Sequence, residues 1–173
     1  MKTQILKIAT ILFITIFTIS CGGSDDAPSP PVTDYFMRAK IDGVQFEALA
    51  PRILAGRTAD RITITAALPD LRNFEIYIDD YPSNPVGSYT IPATSGTTYS
   101  ASLRFGDGTS IFSAVSCCGL ECAIGTRGNL EITSISATEI SGTFSFIGTQ
   151  TSGTCPRLKK IVTEGSFKSG ITL

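Results

Sequence analysis

Five cysteines carry the most distinctive chemistry of this 173-residue sequence. Cys21 stands alone near the start, whereas Cys117, Cys118, Cys122 and Cys155 lie in the second half. In an exported chain, an even set of four cysteines predicts disulfide bonds. A bridge between adjacent cysteines is strained, so we expect one of Cys117 and Cys118 to pair with Cys155 and the other with Cys122.

Zinc binding and redox chemistry are two alternative uses of the same four cysteines. A four-thiolate zinc site normally draws on paired Cys-x-x-Cys motifs, which this spacing lacks. A redox dithiol would need such a motif at the start of a helix, and none is present. The sequence therefore favours disulfides and predicts no metal site.

A short acidic loop is the first candidate for ligand binding. Asp79, Asp80 and Tyr81 precede Pro82 and Pro85, which stiffen the segment. Paired acids and an aromatic ring in a loop can coordinate a cation or present Tyr81 to a sugar. The alternative is a plain turn between strands with solvated acids.

A second acidic loop, Gly106-Asp107-Gly108, faintly resembles a calcium loop. An EF-hand needs a Glu eleven positions after its first Asp, and Cys118 occupies that position here. We therefore expect a hairpin turn at this loop.

The absence of histidine excludes most familiar catalytic sites. Serine and cysteine triads and general acid–base schemes rely on an imidazole. Carboxylate pairs remain possible, but they need a cleft that desolvates one partner, and the sequence gives no sign of one. The sequence has 14 Lys and Arg residues and 15 Asp and Glu residues. It contains no basic cluster of the kind that binds nucleic acid. We expect a non-enzyme without a cofactor.

The first twenty residues have the pattern of a secretory signal. Lys2 and Lys7 precede an apolar run over residues 8–19, which is too short for the ~20 residues of a membrane span. Ser20-Cys21-Gly22 then resembles the lipobox of bacterial lipoproteins, although Thr18 stands where that pattern usually has Leu, Val or Ile. The resemblance implies cleavage before Cys21 and lipidation of its thiol, which would anchor the chain in a membrane.

Residues 21–34 are polar and rich in Gly and Pro, which is typical of a flexible tether. Within the tether, Ser24-Asp25-Asp26 resembles the export signal that Bacteroidota lipoproteins use to reach the outer face of the cell. The alternative is a solvated acidic spacer. We expect a lipid anchor in the outer membrane and display on the cell surface.

Residues 35–173 have the pattern of a single β domain. Apolar residues recur at every second position, and Asp42-Gly43 separates the first two runs as a type I′ hairpin turn would. About ten short strands predict an all-β fold, an antiparallel β-sandwich with a β-barrel as the alternative. The alternating runs are 35–41, 44–48, 62–68, 74–78, 89–91, 99–105, 111–115, 130–132, 140–146 and 161–167.

Three segments of this domain, residues 39–48, 141–146 and 161–167, carry a second resemblance. Together they resemble a family of small Bacteroidota lipoproteins known only as a domain of unknown function. The resemblance spans most of residues 35–169 and implies no activity.

These features predict a non-catalytic, lipid-anchored β domain that binds or scaffolds at the outer membrane, with a protein or glycan partner still to be identified. The alternative is a carrier of a small apolar or glycan ligand inside a barrel lumen. The two differ in whether the aromatic rings pack in a solid core, which is what we expect for Phe144, Phe146 and Phe167.

Overall fold

The computed structural model describes residues 34–79, 85–92, 101–119 and 126–172. Residues 1–33, which hold the predicted signal, Cys21 and nearly all of the tether, lie outside this part of the chain. Within it, no helix is long and apolar enough to span a membrane. The strands are β1 (Phe36–Ile41), β2 (Val44–Leu49), β3 (Ile53–Arg57), β4 (Arg61–Ala67), β5 (Arg72–Asp79), β6 (Gly87–Pro92), β7 (Ala101–Asp107), β8 (Ile111–Ser113), β9 (Thr126–Ile135), β10 (Glu139–Gln150) and β11 (Lys159–Thr172).

The predicted all-β class is confirmed, and the strands form two layers of one continuous sheet. One layer has the order β2-β1-β11-β10-β9-β6, and the other has the order β3-β4-β5-β7-β8. β11 also pairs with β3, and β10 also pairs with β8, so the hydrogen bonding closes into a ring. β11 and β3 are parallel, which makes the sheet mixed where we predicted a purely antiparallel one.

The first hairpin shows how local sequence sets the register. Asp42 and Gly43 have φ values of 49° and 84°, the two positive angles that a type I′ turn requires. The Asp42 carboxylate accepts hydrogen bonds from the Ile161 amide and the Lys160 ammonium, each at 2.9 Å. These contacts join the β1–β2 turn to the start of β11 and lower the pKa of Asp42.

The space between the two layers is filled by aliphatic side chains and phenylalanine rings. Phe74 of β5 lies at the centre, with its ring centroid 4.7 Å from that of Phe46 and 5.4 Å from that of Phe144. Phe146 and Phe167 are buried as well, which confirms the expected core positions. Side chains at alternate positions thus point inward, and those between them form the two outer faces of the molecule.

β10 and β11 come so close that glycine is required between them. Glu164 has a φ of 53° and forms a bulge in β11, next to Gly165. A Cβ atom at Gly165 would overlap the carbonyl oxygen and the ring of Phe144. The bulge leaves the Glu164 carboxylate on the outer side, 2.8 Å from the Lys40 ammonium.

Candidate functional site

Three of the four cysteines predicted to form disulfides lie in the described part of the chain. Cys118 and Cys155 are bonded, with Cα atoms 5.8 Å apart, as the predicted pairing allows. Cys117 is disulfide-bonded as well, while its predicted partner Cys122 lies outside the described residues. The zinc alternative is wrong for this pair, because sulfurs bonded to each other cannot act as thiolate ligands.

The predicted hairpin turn after β7 is confirmed, and the Asp107 carboxylate stabilises it. Asp107 Oδ1 accepts hydrogen bonds from the amides of Thr109 at 3.0 Å and Ser110 at 2.8 Å. Partial burial raises the pKa of Asp107, but these hydrogen bonds outweigh it and leave the pKa below its usual value. In the part of the chain that is described, no cluster of three or more acidic or cysteine side chains could hold a metal.

The predicted binding loop begins on the outer face of the sheet. Asp79 ends β5, and its Oδ1 accepts a hydrogen bond of 2.5 Å from Arg61 Nε on β4. Asp80 and Tyr81, the other two predicted binding residues, lie outside the described residues. Asp79 is therefore part of a cross-strand ion pair, and its neighbours on β4, β5 and β7 define the site.

Strand register places a charged and aromatic cluster around Asp79. Thr63, Tyr77 and Ser102 lie side by side across β4, β5 and β7. Arg61 is opposite Asp79 on one side of this row, and Glu75 is opposite Arg104 on the other. We call these outward-facing side chains the Tyr77 face; they are Arg61, Thr63, Glu75, Tyr77, Asp79, Ser102 and Arg104.

Tyr77 organises the charges around it. Its hydroxyl donates a hydrogen bond of 2.9 Å to Glu75 Oε2. The Arg61 and Arg104 guanidinium carbons lie 5.7 Å and 5.3 Å from the ring centroid, within the range of cation–π attraction. Burial, followed by the bond and charge of Glu75, raises the pKa of Tyr77, so its hydroxyl stays protonated and continues to donate.

A hollow of about 210 Å³ opens on this face. Arg61, Tyr77, Asp79, Ser102 and Arg104 line it. Ser102 Oγ is buried and has no hydrogen-bond partner within the described ranges, although buried hydroxyls are nearly always paired. The closest approach of Arg104 to Glu75 is 3.8 Å, which is an ion pair but too long for a hydrogen bond.

The outer face of the other layer has a different character. Its central strands β9, β10 and β11 present many small polar side chains beside the charged Glu131, Glu164 and Lys168. A shallow depression there is lined by Asn129, Thr143, Ser145, Glu164 and Ser166 among others. Ser141 Oγ lies 3.1 Å from Thr133 Oγ1 and 2.8 Å from Ser134 Oγ, so these hydroxyls satisfy one another. We call this surface the hydroxyl face; it comprises Asn129, Thr133, Ser134, Ser141, Thr143, Ser145 and Ser166.

Arg127 lies buried at the end of β9 beside the hydroxyl face. Its Nη2 donates to the carbonyls of Ser116 and Ile147 and to Thr149 Oγ1, which are neutral acceptors. These contacts fasten the segment before Cys117 to β10. Arg127 is therefore a structural link between strands, although its Nε has no partner in the part of the chain that is described.

Sequence reasoning singled out Asp79 but missed the other four residues that line the hollow, which are Arg61, Tyr77, Ser102 and Arg104. Each is an outward position of a strand that the alternation predicts. Their proximity depends on the order and register of three strands, which alternation does not give. The sequence did contain one indication of this site, because charged and aromatic residues recur at outward positions of successive predicted strands.

No protein family, curated protein or solved structure matches this chain. The fold and the site define an all-β domain with a ring-closed sheet and a charged, aromatic outer face. Function is therefore inferred from the chemistry of that face and from the pattern of the first 34 residues.

Proposed function

We propose that this protein is a non-catalytic β domain, anchored by a lipid on Cys21 in the outer membrane and displayed on the cell surface, which binds its partner through the Tyr77 face. The signal pattern, the lipobox and the Gly/Pro-rich tether of residues 21–34 support the anchor. The observation that carries the binding role is the hollow beside Tyr77, with two guanidinium groups and an unpartnered buried hydroxyl.

The site chemistry favours binding over catalysis. The chain has no histidine. A catalytic acid needs a desolvated carboxyl, whereas the side chains of Asp79 and Glu75 are 32% and 34% exposed and are held by Arg61 and by the Tyr77 hydroxyl. Such groups hold a ligand in place without transferring its protons.

The alternative function, a carrier with a ligand in the lumen, receives less support from the interior. Phe74 contacts four other rings there, those of Phe46, Phe105, Phe144 and Phe146. Rings in mutual contact occupy the space around Phe74 that a carried ligand would need. A site on the outer surface fits this core better than a lumen does.

The anchor is tested in cells that express the full chain or the Cys21→Ser variant. We expect palmitate label and detergent-phase partitioning for the full chain and neither for the variant. Protease added to intact cells should digest the full chain. Full protection of a correctly lipidated chain would overturn surface display, and absence of label would overturn the anchor.

The binding role is tested with the purified full chain in detergent micelles on an array of glycans and peptides. We expect at least one ligand whose signal disappears in Tyr77→Ala and persists in Ser145→Ala, a matched change on the hydroxyl face. A ligand that Tyr77→Ala retains and Ser145→Ala loses would move the site to the other layer. An array with no signal at all would overturn the binding role.

A further inference from the structure

The Tyr77 face has more hydrogen-bond donors than its own acids use. Arg104 makes no hydrogen bond among the described residues, and Arg61 uses its Nε on Asp79. Each guanidinium carries five N–H donors in a planar fork that matches a carboxylate. Because both line the same hollow, a single carboxylate placed there can receive several charge-assisted hydrogen bonds.

The same hollow also contains acceptors, which limits the charge of any ligand. Asp79 lines it, and Glu75 stands opposite Arg104. Two carboxylates beside two guanidiniums leave the cluster neutral, so a ring with one negative charge meets less repulsion from the acids than a doubly charged phosphate or a ring with more than one sulfate. The carboxylate oxygens of Asp79 instead suit the hydroxyl groups of a ligand.

The shape of the face indicates one ring of a longer ligand. The hollow of about 210 Å³ is smaller than the ~300–1,000 Å³ of pockets that enclose a whole small molecule. Thr63 and Ser102 flank Tyr77 with small side chains, and Gly56 of β3 lies opposite Thr63 with open space above it. A chain can therefore cross the strands along this row and place one unit in the hollow against the Tyr77 ring.

We infer that the Tyr77 face binds a polysaccharide that bears carboxylates, with one uronic acid residue in the hollow. Its carboxylate binds the guanidinium groups that line the hollow, its hydroxyls bond to Asp79, and its carbon skeleton packs along the Tyr77 side chain. This inference rests on the proposed binding function and names the chemical class of its ligand.

Affinity electrophoresis of the full chain in detergent tests the inference. The gels contain polygalacturonate, alginate or hyaluronan as polyuronates, with methyl-esterified polygalacturonate as the neutral counterpart and dextran sulfate as a polyanion without carboxylates. We expect retardation by at least one polyuronate and little by the ester or by dextran sulfate. Arg104→Gln should weaken the retardation about tenfold or more, because the charged, forked donor is lost.

The matched control is Arg38→Gln, which removes an exposed arginine paired with Glu47 at 2.6 Å on the other layer. It should leave the retardation unchanged, and urea unfolding should show that both variants remain folded. Equal losses in the two variants, or equal retardation by dextran sulfate, would overturn the inference in favour of unspecific charge attraction.

The outcomes also separate this inference from the proposed function. If the ester binds as well as the acid and Tyr77→Ala abolishes both, the carboxylate is wrong while binding at the Tyr77 face stands. If no polyuronate binds but the array yields a Tyr77-dependent ligand of another class, the same conclusion follows. If neither assay yields a ligand, both proposals are wrong.

Discussion

The two outer faces of the domain are built on the same ladder of strands but differ in how their polar groups are satisfied. On the hydroxyl face, small side chains bond to one another, as Ser141 does with Thr133 and Ser134. On the Tyr77 face, long charged side chains meet across the strands, and Arg104 makes no hydrogen bond to any residue that the structure describes. A sheet face becomes a candidate binding surface when its groups are brought together without being fully paired.

The largest effect in this comparison should come from the core that supports both faces. Phe74 is buried on the inner side of β5, and its ring meets Phe46 of β2 and Phe144 of β10 in the opposite layer. We expect Phe74→Ala to lower the free energy of unfolding by about 3–5 kcal/mol, since it leaves a cavity. Urea unfolding measures this loss, and Leu54→Ala, at a side chain that is 60% exposed, is the control. A loss below 1 kcal/mol for Phe74→Ala would contradict a shared core.

The disulfide should affect the layer with the hydroxyl face more than the layer with the Tyr77 face. Cys118 and Cys155 are 37 residues apart, and closing a loop of that length stabilises a fold by about 3–4 kcal/mol. We expect a loss of this size when both residues are changed to alanine. Hydrogen exchange should rise first at the β10–β11 turn and least in β4 and β5. A uniform rise across both layers would show that the bond acts on the whole sheet.

Acid should destabilise both layers, since each contains at least one aspartate with a lowered pKa. Asp42 holds the β1–β2 turn to β11, and Asp107 closes the β7–β8 turn. A carboxyl whose folded pKa lies below the unfolded value of 3.8 stabilises the fold above that pH and loses this contribution as the pH falls through the folded pKa. The urea midpoint should therefore fall below about pH 4, and less steeply in Asp42→Asn and Asp107→Asn. An unchanged slope in both variants would contradict these assignments.

The smallest effects should distinguish the faces by their response to salt. Arg61→Gln removes an exposed ion pair with Asp79, which is worth about 0–1 kcal/mol and is screened by salt. Ser141→Ala removes neutral hydrogen bonds worth about 0.5–1.5 kcal/mol. Unfolding at low and high salt should show a salt-dependent loss for Arg61→Gln and a constant one for Ser141→Ala. The reverse pattern would mean that the two faces are held by other forces.

Local patterns in the sequence predicted most of the strands but not β3. The Asp42-Gly43 turn and the alternation on either side specified the first hairpin, as the φ values of both residues confirm. β3 has only two inward apolar residues, Ile53 and Ala55, followed by Gly56. Its position depends on pairing with β4 and with the distant end of β11, and a short segment does not encode such pairings.

The candidate site was predictable only in part, for a similar reason. Asp79 was singled out as a loop acid, and it belongs to the site, but its contact with Arg61 exists only because β4 and β5 pair in one register. Tyr77 and Arg104 come together through the pairing of β5 with β7, which the chain connects through residues 80–100. Alternation in the sequence predicts which face of the sheet a side chain lies on. Its neighbours on that face depend on the order and register of the strands.

The pairing of β1 with β11 has a consequence for how the chain folds. Lys40 and Glu164, which meet across these strands, are 124 residues apart. β1 cannot complete its pairing until residues 162–168 have left the ribosome, and β3 depends on the end of the same strand. Contacts this distant place the protein among folds that form in milliseconds to seconds, and the unpaired edges of β1 and β3 stay open to aggregation for that time. The proposed export would benefit from this delay, because a protein that folds late can still be unfolded when it crosses a membrane.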